Sequence, residues 1–209
     1  MDDQSAEVPK RRERADAREN RRLLLAVARQ RFAEQGVADT SMQEIARRAG
    51  VGQGTLYRHF AHKGELCLAL AQDDIAEFQA RLSTVIGDQG DGLTPLTRLE
   101  VLISERVQLM ERHLPLFAAM DEAGTNPRRG DRFRGPFDTW VYEQVIALLT
   151  EAAARKEVAD LDVAVTADLI LAMMSAALYR YQRTTCGYGQ DRIVAAIRRM
   201  CIDGLRHPA

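Results

Sequence analysis

TSMQEIARRAGVGQGTLYRHFAHK, residues Thr40–Lys63, carries the punctuation of two short helices joined by a tight turn. Ser41 and Glu44 have the S-x-x-E spacing of a capping box, so a helix is expected to start at Met42. That helix turns Ile45 and Ala49 toward its core, and Ala46 is small enough to let a second helix cross closely. Arg47 and Arg48 fall on or near the solvent side and read as solvated charge. Gly50 follows directly, where a helix ending in a left-handed residue favours glycine. Val51 can plug the gap, and a second short helix presents Leu56 and Phe60 inward at i, i+4. Two helices of about two turns each, joined in this way, make a helix-turn-helix.

With Leu56 and Phe60 turned inward, Gln53, Thr55, Tyr57, Arg58 and His59 project outward. An arginine forks onto a guanine edge and a glutamine pairs with adenine, so this face has the chemistry of a groove reader. Gly54 permits close approach of backbone to a phosphate, and Lys63, opening the next helix, suits a phosphate too. Two of these positions have a second reading: Tyr57 could pack inward, and His59 could simply close the helix end.

The rest of the chain reads as helices around this unit. An apolar stripe of Leu24, Val27, Ala28 and Phe32 marks a helix from about Asn20 to Gln35, ending at Gly36. Further helices are expected over about Lys63–Ile86, Pro95–Arg112, Pro115–Met120, Phe137–Lys156, Asp162–Thr185 and Gln190–Leu205. Loops are expected at Gly87–Gly92 and Gly124–Pro136, where Gly, Asp, Pro and Arg collect. The fold class is therefore all-α, with about nine helices. The expected division is a flexible basic arm over 1–19, a helix-turn-helix domain over 20–62 and a larger helical domain over 63–209. The arm, with the basic stretch KRRERADARENRR that runs from it into the first helix, reads equally as a minor-groove binder and as a solvated tail.

Charge follows the same division. Residues 1–63 carry 13 Lys/Arg against 9 Asp/Glu, and residues 64–209 carry 16 against 21, so a basic end precedes an acidic remainder. That asymmetry points to a polyanion partner at one end. Cys67, Cys186 and Cys201 are odd in number and form no C-x-x-C pair, which argues for a reducing, cytoplasmic setting. His59, His62, His113 and His207 have no metal-ligand spacing, so neither a metal nor a cofactor is expected. No secretory h-region opens the chain, and no run approaches the roughly 18 uninterrupted apolar residues of a membrane helix.

ARQRFAEQGVADTSMQEIARRAGVGQGTLYRHFAHKGEL resembles the N-terminal domain of the TetR family of bacterial regulators. The resemblance covers about residues 20–68. It includes Phe32 through Gly36, Thr40-Ser41, Ile45-Ala46, Ala49-Gly50-Val51, Gly54-Thr55-Leu56-Tyr57, His59-Phe60 and Lys63. It implies that the second helix of the motif lies in a major groove. Thr40, Tyr57 and Lys63 would then match phosphate contacts, with Ser41 beside them at the helix entry. Gln53, Gly54, Thr55, Arg58 and His59 would match positions touching bases or backbone. Gly52 departs from the polar residue common there, which puts a side-chain cap on that helix in question. The resemblance further implies a homodimer through the last two long helices, reading a palindromic double-stranded DNA operator.

Both of those helices are strongly apolar, with Val163, Ala167, Ile170, Leu171, Met174 and Leu178 on one. Ile193, Ile197, Met200, Cys201 and Leu205 lie on the other, and such a pair must be covered. A small-molecule effector is implied by the resemblance, with Met110, His113, Phe117, Met120, Trp140, Tyr142 and Met173 as candidate lining; each suits an ordinary core as well. The reading that results is a repressor released from its operator by an inducer. A DNA-binding protein without a ligand is the alternative. An enzyme is not expected, because no nucleophile–base pair, metal cluster or phosphate loop stands out.

Overall fold

The computed structural model describes residues 7–87, 92–122 and 136–206, and every regular element among them is helical. In chain order these are α1 (Glu7–Gln35), α2 (Met42–Arg48), α3 (Gln53–His59), α4 (Lys63–Gly87) and α5 (Pro95–Arg112). They continue with α6 (Leu114–Glu122), α7 (Pro136–Ala154), α8 (Val163–Met173), α9 (Ala176–Arg180) and α10 (Gln190–Cys201). A π-helical turn, Tyr181–Thr185, extends α9, and a 3₁₀ turn, Asp203–Leu205, closes the described chain. A lone antiparallel bridge joins Val158 to Arg206. The loop expected over Gly124–Pro136 lies outside the described residues except for Pro136, which opens α7.

Helix α1 begins at Glu7, well before the point where its apolar stripe starts. The segment expected as a flexible arm is thus helical from Glu7 onward. Its Arg, Glu, Ala and Lys residues are strong helix formers even without an apolar face to bury. An i, i+3 pair, Glu19 with Arg22 at 2.6 Å, lies along it.

Two hydrophobic cores share α4. Leu24 and Ala28 of α1, Met42, Ile45 and Ala46 of α2, and Leu56 with Phe60 pack on Leu66 and Leu70 of α4. From the next residue on, Ala71, Ile75, Phe78 and Leu82 of the same helix enter the larger core, with α5, α7, α8 and α10. A small third cluster, Val37, Cys67 and Ala119, ties the end of α1 through α4 to α6. Burial pushes the Cys67 and Cys201 thiols up to about 11. At pH 8 roughly one in a thousand of either is then thiolate, so native protein treated with iodoacetamide should be alkylated first at half-buried Cys186. Mass mapping of the early adduct checks this, and labelling of Cys67 or Cys201 ahead of Cys186 would contradict it.

The helix expected over Asp162–Thr185 is interrupted. α8 ends at Met173 with Met174 as its C-cap, and Ser175 takes extended backbone angles, its hydroxyl accepting from Leu178 N at 3.4 Å to cap α9. The π turn that follows is held to α5 by a polar cluster. Arg183 donates from Nη2 and Nε to the Glu111 carboxylate at 2.6 and 2.9 Å, and Tyr179 donates to it at 2.6 Å. The Arg183 hydrogen bond holds the Glu111 carboxyl below the usual carboxylate range, while burial pushes the Tyr179 phenol up. Val163–Thr185 taken whole is long and apolar enough, by length and composition, to cross a membrane, although Thr166, Asp168 and Ser175 interrupt its apolar residues. Part of that apolarity belongs to the core: Ala167, Ile170, Met174 and Tyr179 are buried against neighbouring helices.

Candidate nucleic-acid interface

The two short helices are set by backbone chemistry within a few residues of their ends. Ser41, in extended conformation, accepts from Glu44 N at 3.1 Å and caps α2. At the other end Gly50 takes φ +66°, and a Schellman closure forms, with Val51 N donating to Ala46 O at 3.0 Å and Gly50 N to Arg47 O at 3.3 Å. No atom lies within 4 Å of where a Gly50 Cβ would stand, so backbone conformation rather than crowding selects glycine there. Gly52 starts α3 with no side-chain cap, as its lack of a polar side chain requires. His62 Nδ1 accepts from Glu65 N at 3.2 Å, while the Glu65 carboxylate accepts from Ala61 N at 2.7 Å, and these two bonds begin α4.

Leu56 is the one buried residue of α3, and Phe60 directly follows as a buried C-cap. The opposite face of α3 is open. Gln53, Gly54, Tyr57 and Arg58 are exposed, and Thr55 and His59 are half-buried. Tyr57 is 46% exposed, which removes the reading in which it packs inward. Arg58 folds back along its own helix, Nε donating to Gly54 O and Nη2 to Thr55 Oγ1, both at 3.2 Å. These are solvent-exposed bonds from the guanidinium to neutral acceptors, cheap to exchange for a base or phosphate. Lys63 reaches back from α4 and donates to Ala38 O at 3.0 Å, so its ammonium sits beside the α1–α2 turn.

Thr40 departs from its expected role. Its side chain is buried, 1% exposed, and its hydroxyl donates to Gly36 O at 2.8 Å and accepts from Gln35 Nε2 at 3.2 Å. It braces the turn after α1 and offers no free hydroxyl to a phosphate. Ser41 is likewise occupied by its cap, although its side chain is exposed.

Residues 24–70 match the family model described as bacterial regulatory proteins, tetR family. Over these residues the chain carries a TetR-type N-terminal domain. It is 34% identical over 116 residues to an HTH-type transcriptional regulator of Staphylococcus aureus strain MRSA252, covering 56% of this chain and 60% of that protein. The chain thus spans about three-fifths of that curated relative's length. A TetR-family regulator from Pectobacterium atrosepticum superposes with TM-score 0.66 at 24% identity, over 94% of this chain and 99% of that one. A TetR/AcrR-family regulator from Thermobifida fusca does so with TM-score 0.63 at 23% identity, over 90% and 100%. These last two likenesses concern the fold.

The TetR-type head also contains a polar brace that the motif reading did not single out. Arg31 of α1 is buried, pairs with Glu44 of α2 at 2.7 Å, and contacts Glu34 and Gln35 on its own helix. The Gln35 amide, with Arg31 and Arg48 nearby, holds the Glu44 carboxyl below the ordinary range. Glu44 therefore does not complete the capping box expected of it; its carboxylate ties α1 to α2 instead. Arg21 lies over the Phe60 ring, 4.9 Å from its centroid, linking α1 to the end of α3. Charged residues on a helix stripe give no sequence signal for such inward use.

In the C-terminal part, the candidate ligand-lining residues join the core rather than an open space. Met110 and Phe117 are buried, and Met120, Trp140, Tyr142 and Met173 pack on the same core. Trp140 stands edge-on to Phe78, Met173 Sδ is 4.0 Å from Cys201 Sγ, and His113 meets Phe117 edge-on. His113 Nε2 also lies 2.6 Å from Asp74 Oδ2 of α4, out of line for a hydrogen bond. Two surface depressions, of about 210 and 260 Å³, are lined by none of the seven. Among the described residues no cluster of three His, Cys, Asp or Glu is placed to hold a metal.

The expected interface residues are also redistributed. Ala167, Ile170, Met174, Ile193, Ile197 and Cys201 close the monomer core. The apolar side chains left outward on α8, α9, the π turn and α10 are Val165, Leu169, Leu178, Tyr181 and Met200, from 37% to 64% exposed. A helix apolar all round gives no way to tell the two faces apart from spacing.

Proposed function

We propose that this chain is a homodimeric, cytoplasmic transcription regulator that reads a palindromic operator through α3 and is released from it by a small-molecule inducer. The observation that carries the DNA-reading half is the two-sidedness of α3: Leu56 anchors one face while Gln53, Tyr57 and Arg58 stand in solvent on the other. Gln53 and Arg58 supply base-edge chemistry; Tyr57 and Lys63 supply phosphate contacts, with Gly54 allowing close approach. Thr55 and His59 sit at the margins of that face, and Ser41 positions α2 behind it. Thr40 contributes by bracing.

Dimerisation is supported by the exposed apolar side chains Val165, Leu169, Tyr181 and Met200, which a second copy would cover. Two-fold symmetry would then place two α3 helices one turn of DNA apart, about 34–36 Å. The inducer half rests on the family's expected behaviour and requires different affinities for the DNA-fitting and non-fitting states.

Fluorescence anisotropy against DNA selected from a random pool tests the reading. Lys63→Ala should weaken binding to selected and random DNA alike and lower the salt slope by about 1. Arg58→Ala should relax preference at one base position, costing about 1–3 kcal/mol there. Equal losses for both variants on both DNAs would overturn the division of contacts. Saturating effector that left operator affinity unchanged would overturn induction.

A further inference from the structure

Helix α5 carries two buried arginines on one face, and they are used differently. Arg98 is 4% exposed; it donates to Ile86 O at the end of α4 at 2.8 Å and to Glu151 of α7 at 2.6 Å. Both of its terminal nitrogens are spent on holding three helices together, and only its Nε is left without a partner. Arg106, two turns on, is 5% exposed and makes one such bond, from Nη2 to Asp138 Oδ1 at 2.6 Å. Its Nε and Nη1 are buried without any hydrogen-bond partner. The neighbouring acid Glu105 cannot serve them, because it is held by Arg81 at 2.8 Å.

A guanidinium has five donors, and a buried cation left with unfilled ones is costly unless something fills them. The surroundings indicate what would. The Arg106 guanidinium lies over the Phe137 ring, 4.9 Å from its centroid. Phe78, fully buried, stands edge-on to Phe137 at 5.5 Å and to Trp140 at 6.1 Å. Phe137 and Trp140 are themselves only half-buried, and the Asp138 side chain is 36% exposed. The cation is therefore buried, but the carboxylate in front of it borders solvent, and the partly exposed Phe137 and Trp140 lie on the same first turn of α7.

We propose that Arg106 anchors a binding site for an organic carboxylate, whose anionic end takes the place of Asp138 on the guanidinium and whose apolar body lies against Phe137 and Trp140. Asp138 is a resident stand-in for that ligand: it keeps the site neutral when empty, bonding through a single oxygen. An incoming carboxylate binds the fork with two oxygens, reaching a donor that Asp138 leaves unfilled. Displaced Asp138 turns into water at small cost because it already borders it. Of the residues singled out as candidate lining, Trp140 alone belongs to this site. The inference rests on the reading of the C-terminal part as a small-molecule sensor and gives the chemical class it would sense.

Calorimetric titration of the full chain with benzoate, hexanoate and decanoate, beside neutral benzamide and hexanamide, tests it directly and without DNA. At least one carboxylate should bind saturably, one per chain, and its amide should not. Arg106→Met should weaken that binding by about tenfold or more, and Arg106→Lys, which keeps the charge without the fork, should fall between. Asp138→Asn should tighten it, because the competitor is weakened while the guanidinium stays. This variant carries the test alone if Arg106→Met fails to fold. No binding by any carboxylate, undiminished binding to folded Arg106→Met, or weakened binding to Asp138→Asn each overturns the proposal. Anisotropy with operator DNA is measured separately: carboxylate binding without DNA release keeps this site and removes its role in induction, and DNA release by some other effector with no carboxylate bound keeps the inducer reading and removes this site.

Discussion

Leu56→Ala is expected to abolish operator binding while leaving most of the helical signal intact. α3 has seven residues and a single buried side chain, so it is too short to hold its shape without docking. Leu56 is fully buried among Ile45, Ala46, Phe60 and Leu66 in the smaller core. Truncating a leucine in such a place costs about 2–5 kcal/mol, a large part of what a small core supplies. The loss falls on the head, because the larger core contains none of these residues. Circular dichroism should therefore show a low-temperature transition of small amplitude ahead of the main one, and anisotropy should show no saturable binding at 25 °C. Wild-type affinity in this variant would mean that α3 is held by something other than its leucine anchor.

Leu169→Glu is expected to convert a dimer into a monomer and to reduce affinity for a palindromic site by about 10²–10⁴, the contribution of a second tethered reading head. Leu169 is 59% exposed on the isolated chain, so the charge adds little strain to the monomer fold. In a dimer joined across α8 and α10, each copy would bury that glutamate without a counter-ion, a penalty of several kcal/mol. Light scattering gives the mass, and anisotropy on a half-site against the full palindrome gives the affinity. The half-site should be bound almost as before. An unchanged dimer mass would move the interface away from Leu169.

The head was legible because its signals are local. Ser41 and Gly50 mark the ends of α2, and each acts on backbone groups within five residues. Leu56 and Phe60 identify the inner face of α3 by spacing alone. Thr40 was not legible: a threonine at a helix entry suits an outward phosphate contact or an inward brace equally, and only the position of Gln35 and Gly36 decides. Helix α1 ran past its apolar stripe because propensity alone can carry a helix of Arg, Glu and Ala. In α8 the inner and outer faces are both aliphatic, so periodicity could not say which would close the monomer. The break at Met174–Ser175 depends on one serine hydroxyl turned to a cap, which competes with helix continuation at any mid-helix serine. Arg106 was invisible for another reason: a charged residue in a helical stripe ordinarily reads as surface.

Helix α4 contributes Leu66 and Leu70 to one core and, from the very next residue, Ala71, Ile75, Phe78 and Leu82 to the other. There is accordingly no slack tether between the reading head and the body; both are bolted to one rod. At 1.5 Å per residue its 25 residues span about 37 Å. A tilt of roughly 5° at the Phe78 end would swing the Lys63 end by about 2 Å, over the two-thirds of the rod between them. That displacement approaches the length of a hydrogen bond. The molecule is thus geared: a repacking too small to change the fold at one end is enough to misalign donors with a groove at the other.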